Sequence, residues 1–291
     1  FVPFPVTVGF TAGIAVIIFA SQIRDFLGLS MSEVPAEFVL KILAFWDARA
    51  SLSFATLALA GGALAAILAL QRFAPKLPAF LIAVVGTSLI ALLLHLPVET
   101  IGSRFGAVPT SLPVPHLPQG ITLARMQELV PSALTIAFLA GVESLLSAMV
   151  ADGMTGRRHR SNCELVAQGV ANFVSPLFGG LCATGALART ATNIRAGARS
   201  PAAGMFHAAF LLVFMLGAGS LMAYVPLATL AAVLVIVAWN MSEQERFRAL
   251  LGGPRGDGAL LLVTFGLTVL VDLTVAISVG VVLAAIIFMH R

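Results

Sequence analysis

Stretches nearly free of charge and close to the ~20 apolar residues that cross a bilayer as a helix recur along this chain. No charged residue occurs from Val6 to Ile23, and Glu143 is alone between Leu129 and Ala151. In hydrocarbon the backbone N–H and C=O groups have to be satisfied inside the protein, and a helix does this within one segment. Composition agrees: 59% of the 291 residues are hydrophobic and 10% are charged, against about 25% charged in soluble domains. Mean hydropathy is +1.01. The chain reads as an all-α polytopic membrane protein with the lipid bilayer as its solvent.

Spans are expected at Val6–Leu27, Ser51–Gln71, Pro78–Leu96, Leu123–Ala151, Pro201–Ala223, Val225–Asn240, Asp257–Val271 and Thr274–His290. Glu33–Arg49 is weakly amphipathic and reads as interfacial, as does the polar stretch Ser242–Arg255. Pro97–Gly120 reads as a loop, because Pro109, Pro113, Pro115 and Pro118 exclude helix. Two segments are too short for simple spans, Glu164–Leu177 and a half-helix at Thr184–Ala196, and a Gly-rich break separates them. Together they make one excursion into the membrane and back. The sequence opens Phe1-Val2-Pro3-Phe4, without Met or a charged leader, and is expected to be an internal piece of a longer protein.

The net charge of +4 and pI near 9.8 would suit nucleic acid, but the basic residues flank apolar spans, as the positive-inside rule predicts. Arg72, Lys76, Arg157, Arg158, Arg160, Arg195, Arg199, Arg246, Arg248, Arg255 and Arg291 fall on one side; Arg24, Lys41, Arg49, Arg104 and Arg125 fall on the other. This bias puts Arg157–Arg160 in the cytoplasm and the Pro-rich loop outside. No nucleic-acid partner is expected. Cys163 and Cys182 form no CxxC and read as free thiols. The five histidines show no metal-ligand spacing, and His207 reads as a core residue. No metal or cofactor is expected. No GxSxG, HExxH or P-loop pattern occurs, so the chain does not read as an enzyme.

Arg189 is the charge left at membrane depth. Such a guanidinium costs roughly 2.5–3.5 kcal/mol on insertion scales, so it is expected to meet an ion, a partner or water. It follows the irregular stretch Gly179-Gly180-Leu181-Cys182-Ala183-Thr184-Gly185. Short, Gly-interrupted segments mark binding sites in transporters, and irregular backbone at depth belongs where it lines a cavity or is buried in protein. Thr184 and Gly185 open the half-helix in this reading, and its first amides, lacking intrahelical partners, make an anion cradle beside Arg189. The alternative is a re-entrant packing feature with no ligand.

Glu143 and Ser147 stand at i and i+4, on one helix face. A carboxylate and a hydroxyl so placed can hold Na⁺ or take up a proton. In the competing reading Glu143 pairs with Arg189 and simply joins two helices. Asn172, Thr190, Thr192 and Asn193 read as interhelical hydrogen-bonding residues, and Asp152 as a helix-end residue.

These residues resemble a known family. Val8–Val16, Ser21-Gln22-Ile23, Glu143-Ser144-Leu145-Leu146-Ser147, Val150–Gly156, Ser161-Asn162, Gln168-Gly169, Asn172, Ala183–Ala186, Arg189–Arg199 and Val237–Met241 are similar to the SulP family of anion transporters, the sulfate permease-like proteins. The likeness runs almost end to end and is most specific from Glu143 to Arg199. It implies fourteen segments in a 7+7 inverted-repeat fold, with a core domain of segments 1–4 and 8–11 and a gate domain of 5–7 and 12–14. The anion would lie between the N-termini of half-helices 3 and 10. On this basis residues 1–122 are the first stretch of the gate domain (segments 5–7 and the extracellular loop). Residues 123–223 belong to the core domain (segments 8–11), and 224–291 are the second stretch of the gate domain (segments 12–14). The family's basic residue matches Arg189, its amide donors match Gly185, Ala186 and Leu187, and its acid on segment 8 matches Glu143. Ser147 matches a hydroxyl ligand of Na⁺-coupled relatives. Ala188 stands where some relatives have serine. Segments 1–4 and the cytoplasmic STAS domain find no match in this sequence, so half of an anion site is expected.

The function implied is secondary active transport of a small inorganic or organic anion of the sulfate, bicarbonate, chloride or dicarboxylate class. It would be elevator-like, with H⁺ or Na⁺ as candidate co-substrate, by a homodimer in the cell (inner) membrane. An uncoupled anion channel or voltage-sensing membrane motor is one rival. A non-transporting scaffold, with Arg189 and Glu143 as a structural pair, is the other.

Overall fold

The computed structural model of the protein describes residues 4–31, 33–106, 110–117 and 119–289. Phe1, Val2, Pro3, Pro109, Pro118, His290 and Arg291, all named above, lie outside the described residues. Among those described there are thirteen α-helices: α1 (Phe4–Leu27), α2 (Phe38–Asp47), α3 (Phe54–Phe73), α4 (Ala79–Leu93), α5 (Ile101–Phe105), α6 (Leu123–Thr155), α7 (Ser161–Val174), α8 (Leu187–Arg195), α9 (Ala202–Ala218), α10 (Leu227–Met241), α11 (Gln244–Leu251), α12 (Arg255–Leu270) and α13 (Leu273–Met289). Among the described residues five helical segments are long and apolar enough to cross a membrane: α1, α3, α6, α9 with the 3-10 turn that follows it, and α10 with α11. The chain divides into two compact units, Phe1–Val108 with Ser220–Arg291, and Pro109–Gly219.

The first unit is built around α1, which packs on α10 and α12, while α10 also meets α3 and α12 meets α13. In lipid the apolar contact between helices brings no hydrophobic gain, so small residues that let backbones approach carry the packing. α1 buries Gly9, Ala12, Gly13, Ala15 and Ala20, and α10 buries Ala228, Ala231, Ala232 and Ala238. At Gly9 a Cβ would lie 2.6 Å from the Leu261 carbonyl oxygen, and at Gly13 it would lie 2.6 Å from Thr268 Cβ. Two buried threonines of this unit are tied to each other. Thr87 Oγ1 donates to Ala83 O (2.7 Å) and meets Thr229 Oγ1 across to α10 (2.8 Å). α1 ends at Gly28 (φ 65°), whose left-handed turn lets Leu29 N–H reach back to Arg24 O (2.9 Å).

The Pro-rich loop is not helix-free. Thr100 and Ser103 cap each other's backbone reciprocally and start α5, ahead of the prolines. An isolated antiparallel bridge pairs Thr100 with Pro226, and Ile101 N–H donates to Val225 O (3.0 Å). Arg104 on α5 forms ion pairs with Asp25 (2.8 Å) and Glu99. Burial works against that charge, but the two carboxylates outweigh it and hold the guanidinium's pKa above its ordinary value.

The second unit contains α6 to α9. α6 runs four residues past the expected Ala151, to Thr155, and is closed by Gly156 in the left-handed region (φ 69°), with Gly156 N–H donating to Asp152 O (2.8 Å). Asp152 is a helix-end residue that accepts from the His159 backbone N–H (3.1 Å) and pairs with its Nδ1 (2.7 Å). α7 is the short segment expected after it and passes into a 3-10 turn at Ser175–Phe178. His116 N–H, from the Pro-rich loop, donates to Leu177 O (2.8 Å). The half-helix expected from Thr184 begins three residues later, at Leu187: 181–186 are irregular, with Ala183, Thr184 and Gly185 tied to neighbouring helices and the N-cap Ala186 extended (φ −116°, ψ 112°).

Candidate functional site

α6 places Glu143, Ser144 and Ser147 within just over one turn. Ser144 and Ser147 are the buried residues described for this helix, 8% and 4% exposed. The face of α6 turned toward α8 is therefore a hydroxyl seam rather than an apolar stripe. Ser144 Oγ accepts the Gly185 N–H (3.0 Å) and meets Thr184 Oγ1 (3.2 Å). Thr184 Oγ1 donates to Ala140 O (2.9 Å), and Ser147 donates to Thr190 Oγ1 (2.9 Å). Gly185 is glycine for a reason of space: a Cβ there would lie 3.0 Å from Ser144 Cα.

The same segment is also held by α7 and the 3-10 turn that follows it. Asn172 Oδ1 accepts the Ala183 N–H (2.7 Å), and its Nδ2 donates to Ala183 O (2.8 Å). Gln168 Nε2 donates to that same carbonyl. Ser175 Oγ donates to Leu181 O (2.8 Å), and Gly179 supplies the left-handed turn (φ 70°) that lets Gly180 N–H return to Ser175 O (2.9 Å). In the Gly-rich break, Leu181 O, both backbone groups of Ala183 and the Gly185 N–H are therefore paired with side chains, as backbone at membrane depth requires.

The approach delivers the chain into α8. The N-cap is Ala186, whose side chain offers no cap, and no acidic residue lies in the first turn. The first amides of the helix have no partner within it. Arg189 is the third helical residue and is exposed. A cation is favourable at a helix C-terminus and unfavourable at the N-terminus, by about 0.3–1 kcal/mol. Arg195, in the last turn, sits where a cation is favoured; Arg189 does not. The start of α8 therefore concentrates positive potential that nothing in its own sequence offsets, which is what a site for an anion requires.

The structure separates residues that the sequence groups. Thr184 and Gly185 do not start the helix, and the Gly185 amide, expected as an anion donor, is given to Ser144 instead. Glu143 and Ser147 share α6, but Ser147 is buried against Thr190 while Glu143 is exposed. Among the described residues no salt bridge joins Glu143 to Arg189: the ion pairs are Arg104 with Asp25 and Glu99, His159 with Asp152, and Arg246 with Glu243. Ser144 and Gln168 are the contributors that spacing alone misses; the signal was the i, i+3 pair of serines on an otherwise apolar helix and the i, i+4 pair of carboxamides on α7. Among the described residues no group of His, Cys, Asp or Glu could hold a metal ion.

Comparison with known proteins gives the family. The sequence pattern of the sulfate permease family matches residues 1–264. The chain is 44% identical over its whole length to the putative sulfate transporter YvdB of Bacillus subtilis, covering 55% of that protein. It is 33% identical over 99% of its length to the bicarbonate transporter BicA of Picosynechococcus, covering 51% of it. It spans about half the length of these curated relatives. The solved transmembrane domain of a cyanobacterial BicA superimposes with a TM-score of 0.80 at 31% identity, over 94% of this chain and 68% of that one. The inward-facing murine Slc26a9 anion transporter shares the fold at a TM-score of 0.88 and 19% identity, over 100% of this chain and 48% of that one. The all-α, polytopic, inverted-repeat architecture expected from the sequence is the one found, and this chain belongs to the sulfate permease family of integral membrane anion transporters.

Proposed function

We propose that the protein is a secondary transporter of small anions, and that its anion binds at the N-terminus of α8. The amides of Ala186 and Leu187 and the guanidinium of Arg189 meet the anion, while Thr184 and Gly185 are held by α6 and fix the approach. The observation that carries this reading is Arg189 in the first turn of a helix with no acidic residue and no side-chain cap. The sulfate and bicarbonate transport named for YvdB and BicA supports the substrate class. Unit Pro109–Gly219 is the portion of the core that carries the anion, and the other unit is gate; the core moves against the gate in an elevator-like step. Glu143, exposed and unpaired with Arg189, takes up the coupling proton or Na⁺ together with Ser147.

Thermal unfolding of the full-length protein tests the site. Sulfate, bicarbonate or a dicarboxylate should raise Tm, since a ligand that binds only the folded state stabilises it, and Arg189→Ala should remove the rise. Failure of every anion to raise Tm favours the scaffold reading. Glu143→Gln should alter the pH or Na⁺ dependence of uptake without changing anion selectivity; an unchanged profile refutes the coupling role.

A further inference from the structure

Three consecutive residues before α8 are gripped from two sides. From α6, Ser144 holds Gly185 through its amide, and the Ala140 carbonyl holds Thr184 through its hydroxyl. From α7, the Asn172 carboxamide spends both of its ends on one residue, accepting from Ala183 N–H at 2.7 Å and donating to Ala183 O at 2.8 Å. A single hydrogen bond would join two segments and leave the held residue free to turn. Two antiparallel bonds, as between strands, fix its position and its rotation together. Gln168, one turn earlier on α7, donates to the same Ala183 carbonyl. Ala183 lies three residues before the N-cap Ala186, so any rotation at Ala183 is passed through Thr184 and Gly185 to the amides that open α8.

We infer that Asn172 is a positioning residue for anion binding: acting through Ala183, it sets where the first amides of α8 and the Arg189 side chain point, without touching the anion. This rests on the functional reading above. A binding group has to be held to about 0.5 Å by a supporting shell, and the irregular segment has no helical hydrogen bonds of its own with which to hold itself. Asn172 supplies that shell from one side and Ser144 from the other.

The test is uptake of labelled sulfate and labelled bicarbonate by the full-length protein in proteoliposomes, with Tm measured in parallel. Asn172→Asp keeps the acceptor for Ala183 N–H but sets a carboxylate oxygen against the Ala183 carbonyl. It should raise KM about tenfold, the loss expected of one well-placed hydrogen bond to a peptide, change the sulfate-to-bicarbonate ratio, and leave the maximal rate per folded transporter within about twofold. Asn172→Ala should act in the same direction, Gln168→Ala should raise KM by two- to threefold, and Asn172→Gln, which retains both ends of the carboxamide, should recover some of the affinity. Variants that lose Tm and folded protein while the remainder keeps the wild-type KM and ratio would show Asn172 to be structural and overturn the inference. Arg189→Ala separates the two levels. Loss of uptake there with wild-type KM in the Asn172 variants sinks this inference alone; wild-type uptake there sinks the functional reading and this inference with it.

Discussion

Each of the two units is held together internally by its own chemistry. In the first, Gly9 and Gly13 bring α1 so close to α12 that an added Cβ would lie 2.6 Å from the Leu261 carbonyl oxygen or 2.6 Å from Thr268 Cβ, and α10 buries Ala228, Ala231 and Ala232. In the second, α7 and α9 bury no described residue, and the burial of α6 consists of two serines. Its joints are hydroxyls and carboxamides: Ser144 to Gly185, Ser147 to Thr190, Asn172 to Ala183. Close packing is strong because many contacts add, and it resists deformation. Hydrogen bonds are fewer, but each fixes a direction. In the proposed division of labour the close-packed unit is gate and the hydrogen-bonded unit is the part of the core that aims α8.

Substitutions that exploit the difference should separate stability from affinity. The largest loss of stability is expected from Gly9→Val in the first unit, where a Cβ would meet the Leu261 carbonyl at 2.6 Å and the Phe265 amide at 3.3 Å. Backbone cannot swing aside, so overpacking of about 3 kcal/mol should appear as a lowered Tm, with KM unchanged in the protein that still folds. Gly185→Ala in the second unit meets Ser144 Cα at 3.0 Å, a tighter fit than ordinary contact but a milder one. It should raise KM for the anion severalfold at a smaller cost in Tm. If the two glycines behave alike, the distinction between units fails. Thr229→Val should have the smallest effect, about 1 kcal/mol, by removing a partner of Thr87. Because the two hydroxyls share one contact, the double variant with Thr87→Val should cost less than the sum of the singles; strict additivity would mean that the 2.8 Å contact contributes nothing.

Much of this was readable before the structure. The long spans follow from apolar run length, and the break before Arg189 follows from glycines in an apolar stretch. What was not readable depended on long-range pairing. Thr184 has the residue type of a helix cap, and only its bond to Ala140, 44 residues away, shows that it serves α6 instead and lets the helix begin at Leu187. Glu143 and Ser147 share a helix face by periodicity, yet the position of α8 buries one and leaves the other exposed. α5 hides in a Pro-rich loop because its capping partner is Ser103 rather than the usual Glu or Gln. Asn172 could be recognised as a hydrogen-bonding residue from its place on a short helix, but not as a two-ended clamp, since nothing local names Ala183 as its partner.

The central claim is that positive potential at the start of α8, with Arg189 as its charged member, binds the transported anion. The most direct measurement is uptake of labelled sulfate and bicarbonate by full-length Arg189→Ala in proteoliposomes, alongside wild type reconstituted at the same density and with the same Tm. The account predicts saturable uptake by wild type and background uptake by the variant. Saturable uptake by Arg189→Ala with the wild-type KM would contradict it.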